Sequence, residues 1–116
     1  MSKEPLARIR LISEKITYIE ETIEHAGSIS EALEDAATYR AAILMHLTAI
    51  AEQFNKLQRE DNTEIMAYFD EDDIKGMYDT RTYIAHDYDG VNLAIIDWIV
   101  RRGIPKLKGQ CDILLG

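Results

Sequence analysis

Apolar residues recur along most of the chain at gaps of three and four, the period of helices that bury one face. Ile9, Ile12, Ile16, Ile19 and Ile23 alternate these gaps and form a heptad-like seam. They predict a helix from about Pro5 to Ala26, with Pro5 tolerated in its first turn and Gly27 at its end. The opposite side carries Arg10, Glu14, Glu20, Glu21 and Glu24 and reads as solvated. Ser28 to Glu34 has capping serines followed by acidic residues, the signal of a short helix or a helix start, and a break after Asp35 is allowed but not demanded. A second long helix is expected over about Ala36–Arg59, with Tyr39, Ile43, Leu47, Ile50, Phe54 and Leu57 on its buried stripe. Asp61-Asn62-Thr63 then breaks the pattern, and Ile65, Met66, Tyr68 and Phe69 form an apolar patch suited to covering one end of a bundle.

Asp70-Glu71-Asp72-Asp73 precedes a further helix, about Asp72 to Ala85, that buries Ile74, Met77 and Ile84 and carries the cations Lys75 and Arg81. These acidic residues suit the positive end of that helix better than a metal, since the run lacks the glycine and spaced ligands of a calcium loop. Asn92 is a good N-cap for the last region. There Leu93, Ile95, Ile96, Trp98, Ile99 and Val100 surround the helix, implying burial on two sides, as a central element or at a subunit interface. Gly103-Ile104-Pro105 is expected to interrupt it before a final helix to about Leu115. The expected fold class is all-α, an antiparallel bundle of four to five helices forming one domain over residues 1–116.

Charge narrows the possible partners. Thirteen Lys and Arg against 21 Asp and Glu leave a net charge of −8, the wrong sign for a general nucleic-acid coat. Any RNA site must be local, and Arg101, Arg102, Lys106 and Lys108 form the densest basic cluster, with a solvated helix end as the alternative reading. The single Cys111 forms no intrachain disulfide and reads as a small apolar residue. Met1 to Pro5 lacks a signal-peptide core and no apolar run is long enough for a membrane span, so a cytoplasmic location is expected. His25 and His46 have no partners at zinc-ligand spacing, and the Glu-x-x-His pairs of metal-oxidase bundles are missing. The expectation is that no metal or cofactor is used.

The chemistry concentrates in Arg81-Thr82-Tyr83-Ile84-Ala85-His86-Asp87-Tyr88. A guanidinium fork suits phosphate oxygens, and an imidazole exchanges protons near neutral pH. Five helical positions turn through roughly 500°, leaving Arg81 and His86 roughly 140° apart on an unbroken helix. The helix must therefore end near His86, or a second subunit must contribute. Each residue also has a structural alternative: Arg81 pairing with Asp79 or a carboxylate of another helix, His86 capping the helix, and Tyr88 packing its ring.

Arg81, His86 and Tyr88 at these spacings resemble the signature of HepT-like proteins in the HEPN superfamily. Asp73 to Met77, Gly90-Val91-Asn92 and Ala51 to Leu57 extend the resemblance over nearly the whole chain. It implies a homodimeric, metal-independent endoribonuclease, the toxin of a type VII-like toxin–antitoxin pair. Two copies of the motif would meet in an interfacial cleft, with Arg81 and His86 catalytic; by their charge alone, and apart from the resemblance, Lys75, Arg101 and Arg102 are candidate RNA contacts. It further implies an MntA-like nucleotidyltransferase antitoxin that silences the toxin by adenylylating Tyr88. The alternative from another class is a noncatalytic helical adaptor that binds a nucleotidyltransferase and presents its substrate.

Overall fold

A computed structural model describes residues 3–116; Met1 and Ser2, part of the segment read as lacking a signal core, lie outside them. Helix α1 spans Lys3–Ala26, α2 Ile29–Glu34, α3 Tyr39–Arg59, α4 Thr63–Met66, α5 Glu71–His86 and α6 Leu93–Trp98. A π-helical turn, Ile99–Gly103, joins α6 to α7, Ile104–Leu115. No strand occurs among the described residues, and no helix is long and apolar enough to cross a membrane.

The periodic stripes do what their spacing requires. Ile9, Ile12, Ile16 and Ile19 of α1 are buried against Ile43, Leu47, Ile50, Phe54 and Leu57 of α3 in one continuous core. Arg8 donates to Gln53 at 3.2 Å and also meets Glu60, whereas Tyr18 lies against His46, so residue numbers descend on α3 as they rise on α1 and the two helices are antiparallel. Helix α5 is antiparallel to α3 by the same logic, because Arg81 meets Glu52 while Glu71 faces the end of α3 near Asp61. Ile65 and Phe69 close one end of the core, Phe69 meeting Phe54 edge-on at 5.0 Å.

Polar residues set the boundaries. Gly27 ends α1 at φ 108°, a conformation costly for a side chain, and returns its N–H to the Ile23 carbonyl. Ser28 caps α2 by accepting the Glu31 N–H, and Asp70 caps α5 by accepting the Asp72 N–H. Helix α3 starts at Tyr39 rather than Ala36. The Asp35 carboxylate accepts the Thr38 N–H, and Arg40 Nε donates to the Leu33 carbonyl, stabilising a turn where helix propensity alone would have continued.

Two expectations for the last region change. Gly103-Ile104-Pro105 does not break the helix: the Ile104 N–H reaches back five residues to the Ile99 carbonyl. In a regular turn the Pro105 ring would press on the carbonyl four residues earlier, and the wider π turn takes up that misfit. Nor is α6 a central element, since Ile96, Ile99 and Val100 are buried while Ile95 is 47% and Trp98 61% exposed.

Candidate functional site

Helix α5 and the turn behind it present the motif residues. The helix continues through His86, with Asp87 as its C-cap returning an N–H to the Tyr83 carbonyl. Arg81 and His86 therefore stand on one regular helix, roughly 140° apart in direction and about 7.5 Å apart along the axis. His86 and Tyr88 are exposed, and Arg81 is partly buried. A single chain does not bring the Arg81 and His86 groups to one point.

Arg81 has a partner from another helix. Its Nε pairs with a carboxylate oxygen of Glu52 on α3, and its guanidinium lies 6.0 Å from the centre of the Tyr78 ring. Each side chain of the pair retains about a third of its surface in water, 37% for Arg81 and 34% for Glu52, so the carboxylate can be exchanged for a competing anion at modest cost. Of the structural alternatives for Arg81, Asp79 instead pairs with Lys75, at 3.1 Å on the same helix.

The turn carrying Tyr88 is built by Asp87 and Gly90. The Gly90 N–H is shared between the Asp87 carbonyl at 3.2 Å and its carboxylate at 3.1 Å. A Cβ on residue 90 would fall 2.1 Å from that carboxylate, so any side chain there must displace it. Buried Val91 anchors the far side, and the Asn92 N–H donates to the Tyr83 hydroxyl at 2.7 Å. Tyr83 thus ties α5 to the start of α6, where Asn92 caps the helix through the Ala94 and Ile95 N–H groups. The off-motif tyrosine is a structural fastener, and Tyr88 is left 45% exposed.

The basic cluster is largely neutralised within the chain. Arg101 in the π turn pairs with Asp97, whose hydrogen bond raises the guanidinium pKa still further. Lys106 bridges to Asp73 at 2.7 Å and Asp70 at 3.5 Å, which holds its ammonium above the usual lysine range, Asp73 being the main cause. Lys108 pairs with Glu20 at 3.0 Å. Arg102 is exposed and has no ion pair among the described residues. Lys106 meets the first turn of α5 at Asp73, eight residues or about 12 Å along the axis from Arg81. Within the acidic run at the start of α5, Asp70 thus caps the helix, and Asp70 and Asp73 together receive α7.

Elsewhere the reactive groups are quiet. Cys111 is fully buried, and burial pushes its thiol up to about 12. Burial, then Lys15, lowers the His46 pKa where its ring tilts against Tyr18. No group of three or more His, Cys, Asp or Glu side chains arranged to hold a metal occurs among the described residues. Sequence reasoning missed Glu52 and Tyr78 as neighbours of Arg81. Tyr78 was detectable, being three positions before Arg81 on the same helical face, whereas Glu52 depends on the register of α5 against α3.

Residues 12–114 match a family model described as Ribonuclease HepT-like. No curated protein and no solved structure matches the chain.

Proposed function

The chain belongs to the HepT-like ribonuclease family, and on that premise we propose that it is an endoribonuclease working through Arg81 and His86 as a homodimer. The observation that carries this reading is the family match, which spans the whole run from Arg81 to Tyr88. The exposure of His86 and Tyr88 and the exchangeable partner of Arg81 support it.

RNA carries its own nucleophile, the 2′-hydroxyl beside each phosphodiester. An imidazole at His86 takes the 2′-hydroxyl proton, or gives one to the departing 5′-oxygen, as the 2′-oxygen bonds to phosphorus and the 5′ bond breaks. Arg81 stabilises the charge that develops on the phosphoryl oxygens. The products are a 2′,3′-cyclic phosphate and a 5′-hydroxyl, and no metal-bound water is required. Because Arg81 and His86 diverge on one helix, a second copy is proposed to complete the site; of the expected RNA contacts, Lys75 and Arg101 are taken up by Asp79 and Asp97, which leaves Arg102 as a further phosphate contact.

Control falls to Tyr88 in this reading. An MntA-like nucleotidyltransferase antitoxin would attach adenylate to its hydroxyl, placing negative charge and bulk on the helix end that Arg81 and His86 share. The decisive experiment is RNA cleavage by the purified chain in the presence of a chelator, with His86→Ala as control. Cleavage that His86→Ala abolishes supports the proposal, and undiminished cleavage by the variant refutes it. Incubation with the partner and ATP should add adenylate to a Tyr88 peptide and not to Tyr88→Phe.

The pairing of Arg81 with Glu52 keeps a second reading in play, in which the chain is a noncatalytic adaptor for a nucleotidyltransferase and the motif serves the interface. RNA cleavage by the chain alone separates the two.

A further inference from the structure

We propose that the groove between the end of α3, α4 and the first half of α5 holds an RNA base next to the phosphate engaged by Arg81, with Tyr78 as its stacking platform. This rests on the ribonuclease reading above and adds a substrate subsite to it. The groove encloses about 780 Å³, within the size range of small-molecule sites. Glu71, Ile74, Lys75 and Tyr78 line it from α5 at helical spacing, and Arg81 is the next position on the same face.

Its chemistry is that of a base site. Tyr78 is 43% exposed, and the Arg81 guanidinium lies 6.0 Å from the centroid of its ring. That separation is of the order dividing a phosphate from the base of its own or a neighbouring nucleotide, so one ligand can touch both. Met66, Phe69 and Ile74 supply apolar wall. Across from them, the Gln58 amide makes no hydrogen bond to any described residue, and Asn62 commits its Nδ2 to the Leu57 carbonyl while its Oδ1 remains an acceptor.

Charge decides which part of a nucleotide enters. Asp61 and Glu71 stand at the groove, and Lys75 is already paired with Asp79. Carboxylates repel a phosphate but accept hydrogen bonds from exocyclic amino groups. The backbone is therefore held outside at Arg81, and a base enters, with adenine, cytosine or guanine favoured over uracil. Single-stranded RNA is read in this way, by splayed bases stacked on aromatic rings and bonded at their edges.

The test compares the intact chain with Tyr78→Ala and Tyr78→Trp on short ribo-oligonucleotides, intact or with an abasic ribose on either side of the cleaved linkage. Tyr78→Ala should lower kcat/KM on intact RNA by roughly 5- to 150-fold, the loss expected for one stacked base, and Tyr78→Trp should restore it. On one of the two abasic substrates Tyr78→Ala should lose nothing further. Equal losses on intact and abasic substrates overturn the proposal, because a structural effect on Arg81 would ignore the base. In parallel, an oligonucleotide carrying 2-aminopurine is titrated into each protein and its fluorescence followed. Quenching that depends on Tyr78 in a chain that does not cleave RNA leaves the subsite standing and removes the nuclease. Cleavage with quenching indifferent to Tyr78 removes the subsite alone, and absence of both removes both.

Discussion

Gly90→Ala isolates the contact that builds the turn bearing Tyr88. The residue is not in the left-handed region, so alanine meets no backbone strain, but its Cβ would stand 2.1 Å from Asp87 Oδ2. The carboxylate must rotate away, giving up its 3.1 Å bond from the residue 90 N–H. One such hydrogen bond contributes roughly 0.5–1.5 kcal/mol. Against that loss, replacing glycine at a compatible conformation stabilises by about 0.4–1 kcal/mol through the unfolded chain. The single variant should therefore lie between neutrality and a loss of about 1 kcal/mol. Once Asp87→Ala has removed the obstacle, the same Gly90→Ala change should become stabilising by about 0.4–1 kcal/mol. Urea denaturation followed by far-UV circular dichroism on the four proteins of the cycle gives the coupling, expected at roughly 0.5–1.5 kcal/mol. Equal effects of Gly90→Ala with and without the Asp87 carboxylate would refute the reasoning and move the glycine requirement into the backbone.

Other expectations follow from the core and from charge. Phe54→Ala, which empties a fully buried position against Phe69, should cost about 3–5 kcal/mol in urea denaturation, and a loss under about 1.5 kcal/mol would mean that the closing end is not tightly packed. His46 titrates below its ordinary value when folded, so its contribution is complete above pH 6.5 and is lost as pH falls from 6.5 toward the lowered value. His46→Gln should therefore lose less stability than the parent between pH 7 and pH 5, and identical slopes would count against burial of that ring. Glu52→Gln keeps an acceptor for Arg81 while removing the charge that competes with phosphate. At about 5 Å in water that charge opposes a phosphate by roughly 0.8 kcal/mol, so RNA affinity measured in a His86→Ala background should rise about fourfold. Weaker binding would show instead that the carboxylate is needed to aim the guanidinium.

What could be foreseen depended on whether a feature was local. The α1 and α3 stripes and the acidic start of α5 were legible because periodicity and the pull of a helix's positive end act within one or two turns. Pro105 was misjudged because the rule against proline assumes regular α geometry, and one widened turn evades it. The divergence of Arg81 from His86 followed from spacing alone. The Arg81–Glu52 pair did not, since it depends on how two helices register across the core. Tyr83 and Tyr88 look equivalent in the sequence; only the hydrogen bond from Asn92 distinguishes the fastener from the exposed phenol.

Trp98 is the chain's sole indole, and it faces water on α6 while the side chains around Ile96 face inward. Its emission in the isolated folded chain should resemble that of a solvated fluorophore, making it a poor gauge of melting. Covering that face is what would shift it to the blue, so the protein carries an intrinsic optical sensor of whatever docks there.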